Sequence, residues 1–225
     1  MDYSETIENI KKDLRANLSD YRYTHVESVV ETAIGLATVI RATCADLLSL
    51  AEIEKIRVAG YLHDYAKEMS GDEMLTLAEY HGIKIYDEDR AAPILLHARV
   101  GAALAEEKFE IYDPFILDAV KHHTFGAPDM GLSSKILFLA DFVEPGRDAK
   151  LKDLKSQRGV EDYRTDLDEV RDMLDLGAAS DAVDLHAKLD RAILRVMDLK
   201  IEHVLKKEQP LHPLGIEARN AFVRS

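Results

Sequence analysis

The stretch Ala59-Gly60-Tyr61-Leu62-His63-Asp64-Tyr65-Ala66-Lys67 closes an apolar helical run with an imidazole and a carboxylate side by side. Polar groups at the end of a buried helix face need partners. A metal ion is one such partner, because neutral imidazole and ionised carboxylate are both good ligands. The pair alone specifies little. Its weight depends on whether the chain supplies further ligands at matching positions.

Upstream, Ser49-Leu50-Ala51-Glu52 is a capping box that starts the helix leading to His63. Ile56, Ala59 and Gly60 form its stripe, and His63 continues that stripe in phase. Lys67 follows one turn later on the same face (67 − 63 = 4). The helix from Ser49 is thereby expected at the centre of the bundle. Thr24-His25-Val26-Glu27 reads as a further capping box, opening a helix with Val26, Val29, Val30, Ala33, Ala37 and Ile40 on one face. Before it, Tyr3, Ile7, Ile10, Leu14 and Leu18 mark a first helix.

Downstream, Ser70-Gly71-Asp72-Glu73 opens a short helix to about Tyr80, stopped by His81-Gly82. Residues 82 to 92 read as a loop. Pro93 reads as the first turn of a helix on which His97, Val100, Gly101 and Leu104 share a face. Asp113-Pro114 caps a helix carrying Ile116, Ala119, Val120 and His123, and a loop with Gly126, Pro128 and Gly131 follows. Residues 133 to 143 form the most apolar helix, with Asp141 set into it, ended by Pro145-Gly146. Residues 147 to 181 are charged and weakly patterned, with an exposed helix over 163 to 176 and a break at 177 to 180. Residues 181 to 207 read as a long helix with Leu189, Ile193, Val196, Ile201 and Val204 inward. Pro210 and Pro213 close it before a short tail. No segment reads as a strand, so the class is all-α. Residues 1–147 form the core with every candidate ligand, 148–181 a charged connecting segment, and 182–225 a helix and tail packing on the same domain.

With 225 residues and 47% hydrophobic content the chain can bury a sizeable core. A net charge of −13 and a pI near 5.1 argue against general binding of nucleic acid or anionic membrane. The single cysteine, Cys44, allows no internal disulfide and fits a reducing compartment. The start lacks a signal-peptide core and no apolar run reaches membrane-spanning length, so the expectation is a cytoplasmic protein.

The candidate ligands are His25, His63, Asp64, His97, His123 and Asp141. Any one of these histidines alone is more often solvated or a satisfied core residue. Asp141 is harder to dismiss, since a carboxylate inside an apolar helix must be paired, protonated or metal-bound. Together they can converge on one or two metals at the centre of a helical bundle. Helical phase favours His123 over His122. His81, His186, His203 and His212 read as structural or surface residues, and Arg99 and Lys121 as helix-surface charges.

The ordered set, with spacings of 38, 34, 26 and 18 from His25 through His63, His97 and His123 to Asp141, resembles the HD-domain metal-dependent phosphohydrolases, in the subset that holds two metals. Flanking residues sharpen this. Arg22-Tyr23-Thr24-His25, Leu62-His63-Asp64-Tyr65-Ala66-Lys67, Leu96-His97, His123-Thr124 with Gly126, and Ala140-Asp141-Phe142-Val143-Glu144-Pro145 with Arg147 resemble the bacterial YqeK-type symmetrical diadenosine tetraphosphate hydrolases. So does the tail, His212-Pro213 with Glu217-Ala218-Arg219-Asn220. The likeness covers nearly the whole chain. It departs at His122, where the family usually has an aromatic residue, at Phe125, where it usually has threonine, and over residues 148 to about 181, which look longer and more charged.

The resemblance implies an HD-domain helical bundle with a buried dinuclear site. One metal would take His25, His63, Asp64 and Asp141, the other His97 and His123, with Asp64 bridging. It implies two divalent ions, iron first; an oxygen and nitrogen donor set also suits manganese, cobalt or zinc. Metal-bound hydroxide would attack a phosphoanhydride of diadenosine tetraphosphate and release two ADP. Asp64 and Lys67 would be the catalytic residues, and Lys67, Thr124, Arg147 and Arg22 the substrate contacts. The partner is then a dinucleoside polyphosphate, with no nucleic acid and no membrane, and a homodimer is compatible. The competing readings are an HD phosphohydrolase acting on a mononucleotide or cyclic dinucleotide, and a non-catalytic HD scaffold or sensor. The latter would purify without stoichiometric metal.

Overall fold

The computed structural model describes residues 3–147 and 165–224. Its helices are α1 (Ser4–Asn17), α2 (Asp20–Thr43), α3 (Leu50–Leu62), α4 (Gly71–Tyr80), α5 (Asp87–Ala91), α6 (His97–Phe109), α7 (Pro114–His122), α8 (Leu132–Val143), α9 (Asp166–Met173), α10 (Ala182–Lys206) and α11 (Pro213–Phe222). No strand occurs among the described residues. The chain is all-α.

Helix α3 lies in the middle. It packs against α2, α7 and α8 and also touches α1 and α6. Ile56, Ala59 and His63 are fully buried and Gly60 is buried, as their stripe requires. A Cβ on Gly60 would lie 2.8 Å from Val30 Cγ2, so α2 can approach α3 here only because Gly60 has no side chain. Buried residues from α1 to α11 belong to one continuous apolar cluster, which includes Leu167 and Val170 of α9, Leu189 and Ile193 of α10, and Phe222 of α11.

Ser49 and Ser70 form the expected capping boxes with Glu52 and Glu73. Thr24 does not. Helix α2 begins earlier, at Asp20, with Ser19 as the cap accepting from the Arg22 N–H. Glu68 takes both the Ser19 N–H and hydroxyl at 2.6 Å and fixes this earlier start. Thr24 instead donates to the Asp20 carbonyl at 2.9 Å. A partner 49 residues away in sequence has decided between two local caps.

The loop expected over 82 to 92 contains α5, whose first turn is held by the Tyr86 N–H donating to Asp89 at 2.9 Å. Pro93 begins a 3-10 turn, and α6 starts only at His97. Pro213 opens α11 as well as following α10, and α11 buries Ala218 and Phe222. Helix α9 is docked rather than exposed: Leu167 and Val170 are buried, and Arg171 donates to the Val143 carbonyl at 2.8 Å. The connecting-segment reading of residues 148–164 concerns positions outside the described residues. Arg99 is not the surface charge expected of it, and of the two readings of His212 the structural one holds. Arg99 is buried and pairs at 2.5 Å with the fully buried Asp89, which His212 also reaches at 3.2 Å.

Candidate metal centre

Helix ends bring the candidate ligands together. His63 and Asp64 follow the last residue of α3, His97 is the first residue of α6, and His123 follows α7. Asp141 lies in the last turn of α8, and His25 in the second turn of α2.

Three of the histidines are oriented in the same way. His63 Nδ1–H donates to the Gly60 carbonyl at 2.7 Å, His97 to Ile94 at 2.6 Å, and His123 to Val120 at 2.7 Å. Each acceptor lies three residues earlier, so the helical backbone fixes the ring. With the proton on Nδ1, the Nε2 lone pair faces the centre. His25 differs: its Nδ1 meets the Glu144 carboxylate at 3.1 Å. Glu144 is buried and also accepts from the Ser28 hydroxyl at 2.7 Å and the Gly146 N–H at 2.5 Å.

Asp64 faces two ways. One oxygen, Oδ2, lies 3.7 Å from Nε2 of both His25 and His63. The other, Oδ1, lies 3.3 Å from His97 Nε2 and 3.5 Å from His123 Nε2. His25 Nε2 also lies 3.3 Å from Asp141 Oδ1. The result is two donor clusters, His25, His63 and Asp141, and Asp64, His97 and His123, each with its ligand atoms within 4.8 Å of one another.

Two features fit these clusters to cations. His63 Nε2 is buried with no hydrogen-bond partner. The Nε2 atoms of His97 and His123 stand 3.0 Å apart, and since both rings carry their proton on Nδ1, two lone pairs face each other. A cation between them relieves that repulsion. Nitrogen and carboxylate donors suit a divalent transition ion.

All four expected substrate contacts reach this centre. Lys67 Nζ lies 2.9 Å from His97 Nε2 and 3.7 Å from Asp64 Oδ1. Arg22 pairs with Asp64 Oδ2 at 2.8 Å, and Arg147 with Asp141 Oδ1 at 2.6 Å. The Thr124 hydroxyl is 3.1 Å from His97 Nε2. His122 sits off the centre, half-buried.

The electrostatics separate the imidazoles. Burial holds His63 and His97 neutral, with pKa values near 4. Burial also opposes charge on His25, but its bonds to Asp141 and Glu144 and the nearby Asp64 outweigh that and push it up to about 9. Burial likewise opposes charge on Asp64 and Asp141. The imidazoles and Lys67 around Asp64, and chiefly Arg147 beside Asp141, nonetheless hold both carboxyls well below their ordinary range. Lys67 is pulled down from its usual value by burial.

Sequence reasoning gave Glu144 no role beyond its place in the motif that carries the resemblance, and passed over Lys200. Glu144 had one available signal, its place one turn after Asp141 (144 − 141 = 3). Lys200 had none, since a lysine between Leu199 and Ile201 on a long helix reads as a solvated charge. Its ammonium donates to the Thr124 carbonyl at 3.0 Å and lies 4.1 Å over the Phe138 ring. Lys67, Thr124, Asp141, Arg147 and Lys200 line a cleft of about 580 Å³ that opens from the centre towards α11.

The model of the HD domain family matches residues 22–146, a span that holds all six candidate ligands. The chain belongs to the HD-domain family. Within it, the chain is 33% identical over 214 residues to the symmetrical bis(5'-nucleosyl)-tetraphosphatase of Halalkalibacterium halodurans, covering 93% of each. It is 30% identical over 200 residues to the protein of the same name from Bacillus subtilis, covering 89% of this chain and 88% of that one. A crystal structure of an HD superfamily hydrolase from Clostridium acetobutylicum, described as involved in NAD metabolism, superposes with a TM-score of 0.76. That protein is 31% identical, with 97% of each chain covered. This HD domain thus falls in a family of divalent-metal-dependent phosphohydrolases, and its two donor clusters suit such ions.

Proposed function

We propose that this chain hydrolyses diadenosine tetraphosphate symmetrically, giving two ADP, at a centre of two divalent ions. The observation that carries the reading is Asp64, whose two oxygens face two separate groups of imidazole nitrogens. One ion is assigned to His25, His63, Asp64 and Asp141, and the other to His97, His123 and Asp64. Ions held there supply Lewis acidity towards a phosphoryl oxygen and a water acidified enough to attack at neutral pH. Iron is the first choice by resemblance, with manganese, cobalt or zinc also suited to the donors.

The protein's own groups do the rest. Lys67 and Arg147 both border the cleft, so their charges stand where a polyphosphate enters. Arg22 steadies Asp64 from the side away from Lys67, and Thr124 offers a hydroxyl beside His97. The leaving group is ADP, already a stable anion in water, so a protein acid has little to contribute. Residues 1–147 carry the ligands and residues 182–225 close the cleft of the same domain. The single cysteine fits a cytoplasmic setting.

The test is product analysis. Iron-loaded protein, prepared without oxygen, is incubated with dinucleoside polyphosphates, nucleoside triphosphates and cyclic dinucleotides. Diadenosine tetraphosphate should give ADP alone. AMP and ATP as the main products, or preferred turnover of a triphosphate or cyclic dinucleotide, would overturn the reading.

A further inference from the structure

Phe125 directly follows Thr124, so its ring begins one residue from the metal centre. The ring lies nearly flat on the His212 imidazole, with centroids 4.2 Å apart and planes at 21°. That imidazole is pinned. Its Nδ1 accepts the Leu214 N–H and its Nε2–H donates to Asp89 Oδ1, both at 3.2 Å. The Tyr86 ring closes on it edge to face at 4.9 Å. Asp89 is itself held by Arg99, which also donates to the Lys84 carbonyl at 2.7 Å. Gly126, with φ at +77°, closes the turn on the other side of Phe125 through its N–H to the His122 carbonyl at 2.8 Å.

A buried ionic network is thus spent on holding one exposed-side aromatic still. Phe125 is only partly buried, and it lines the cleft together with Thr124 and Lys200. Lys200 forms the other functional wall, and among the described residues its hydrogen bonds go to the backbone carbonyls of Thr124 and His123. The carboxylate of Glu202 on the cleft rim is already paired with Arg195 and Lys206, and that of Asp166 with Arg195. The cleft, at about 580 Å³, falls within the range of small-molecule sites. It has a cationic end beside the ligands and an aromatic side at Phe125. Phosphates seek the first and a base the second.

We propose that Phe125 is the base-stacking wall of this cleft, which takes one nucleoside-diphosphate half of the substrate with its phosphates towards Lys200 and the ligand clusters. The inference rests on the hydrolysis of a dinucleoside polyphosphate proposed above. The resemblance leads one to expect threonine at this position, which has no ring to offer, so the stacking wall is this chain's own feature.

The test uses the full-length, metal-loaded chain with ADP and inorganic pyrophosphate as probes, their binding measured by calorimetry. Phe125→Leu keeps an apolar side chain and removes the ring. It should raise the Kd for ADP between about 5-fold and about 150-fold, the range set by base–aromatic stacking. The Kd for pyrophosphate should stay at the wild-type value, and Phe125→Tyr should restore ADP binding. In hydrolysis of diadenosine tetraphosphate, the loss in Phe125→Leu should fall on KM more than on kcat. Unchanged ADP affinity in Phe125→Leu overturns the proposal. So does an equal loss for ADP and pyrophosphate, or a wild-type chain that binds no ADP. A wild-type chain that binds ADP but cleaves no dinucleoside tetraphosphate instead sinks the proposed hydrolysis and leaves the Phe125 comparison to be read on its own.

Discussion

His63, His97 and His123 are held by backbone carbonyls three residues back, whereas His25 is held by a side chain 119 residues away. Those carbonyls lie in the last turn of the preceding helix for His63 and His123 and in the 3-10 turn before α6 for His97. His25 depends on Glu144, and through it on Ser28 and the Gly146 N–H. The two arrangements leave different protonation behind. His63 and His97 have pKa values near 4 and meet an ion already neutral, while His25, near 9, meets it carrying a proton. A backbone acceptor orients without adding charge; a carboxylate orients and also makes the ring more basic.

The contrast can be broken most severely at Asp64, where the two groups meet. Asp64→Ala should remove metal from both clusters and reduce hydrolysis to the uncatalysed background, read by metal analysis of the purified protein and by product chromatography. His63→Ala should do the same to the His25 cluster and to turnover. Near-normal metal content and rate in either variant would defeat the two-cluster reading.

Outside the centre, Asp89 is a second long-range tie, joining Arg99 and His212. Asp89→Ala leaves Arg99 buried without its carboxylate and should cost about 3–5 kcal/mol in chemical denaturation. A loss as small as that of a surface substitution would show that long-range ties matter less here than the contrast requires.

Glu144→Ala should weaken binding at the His25 cluster by about 10- to 100-fold, seen in chelator competition, and spare the cluster of His97 and His123. The pH dependence sharpens the same point. Because His25 titrates near 9, metal uptake at its cluster below that pH displaces one proton. Affinity there should rise with pH by about tenfold per unit up to about pH 9, while His63 and His97 add no such slope above pH 5. Calorimetry in buffers of different ionisation enthalpy counts the proton. The sign for metal-stripped protein is opposite: the raised His25 pKa stabilises the fold fully below pH 6.5, and that stability is lost as pH rises through 9. Glu144→Gln should lower the pH at which both slopes end, while the bond to Asp141 keeps the His25 pKa raised in part. The smallest effect belongs to a purely local tie. Ser49→Ala removes the cap of α3 and should cost about 1 kcal/mol in thermal melts without altering metal content.

Local chemistry was legible and distant chemistry was not. The in-phase stripe of Ile56, Ala59 and Gly60 placed His63 at the inner end of α3, and the Ser49 and Ser70 boxes marked helix starts correctly, because each rests on contacts within four residues. Thr24 was mistaken for a cap because the competing cap, Ser19, is chosen by Glu68. Arg99 looked like a surface charge, and His212 could not be decided between structural and surface roles, because their common partner, Asp89, sat in a stretch with too little periodicity to reveal α5. Lys200 could not be found at all: nothing near it in sequence tells that its ammonium ends over Phe138, against the carbonyls of the His123 turn.

That last contact bears on what can be moved from one protein to another. The turn carrying His123 and Thr124 is braced by Lys200, and a Cβ at Gly126 would run into the Met197 side chain, so the brace is α10. Helix α10 lies wholly beyond the HD match at residues 22–146. A ligand set that looks like a portable cassette is therefore not one in this chain. Grafted alone into another scaffold, it would bring every donor atom and leave behind the strut that keeps one of them in place.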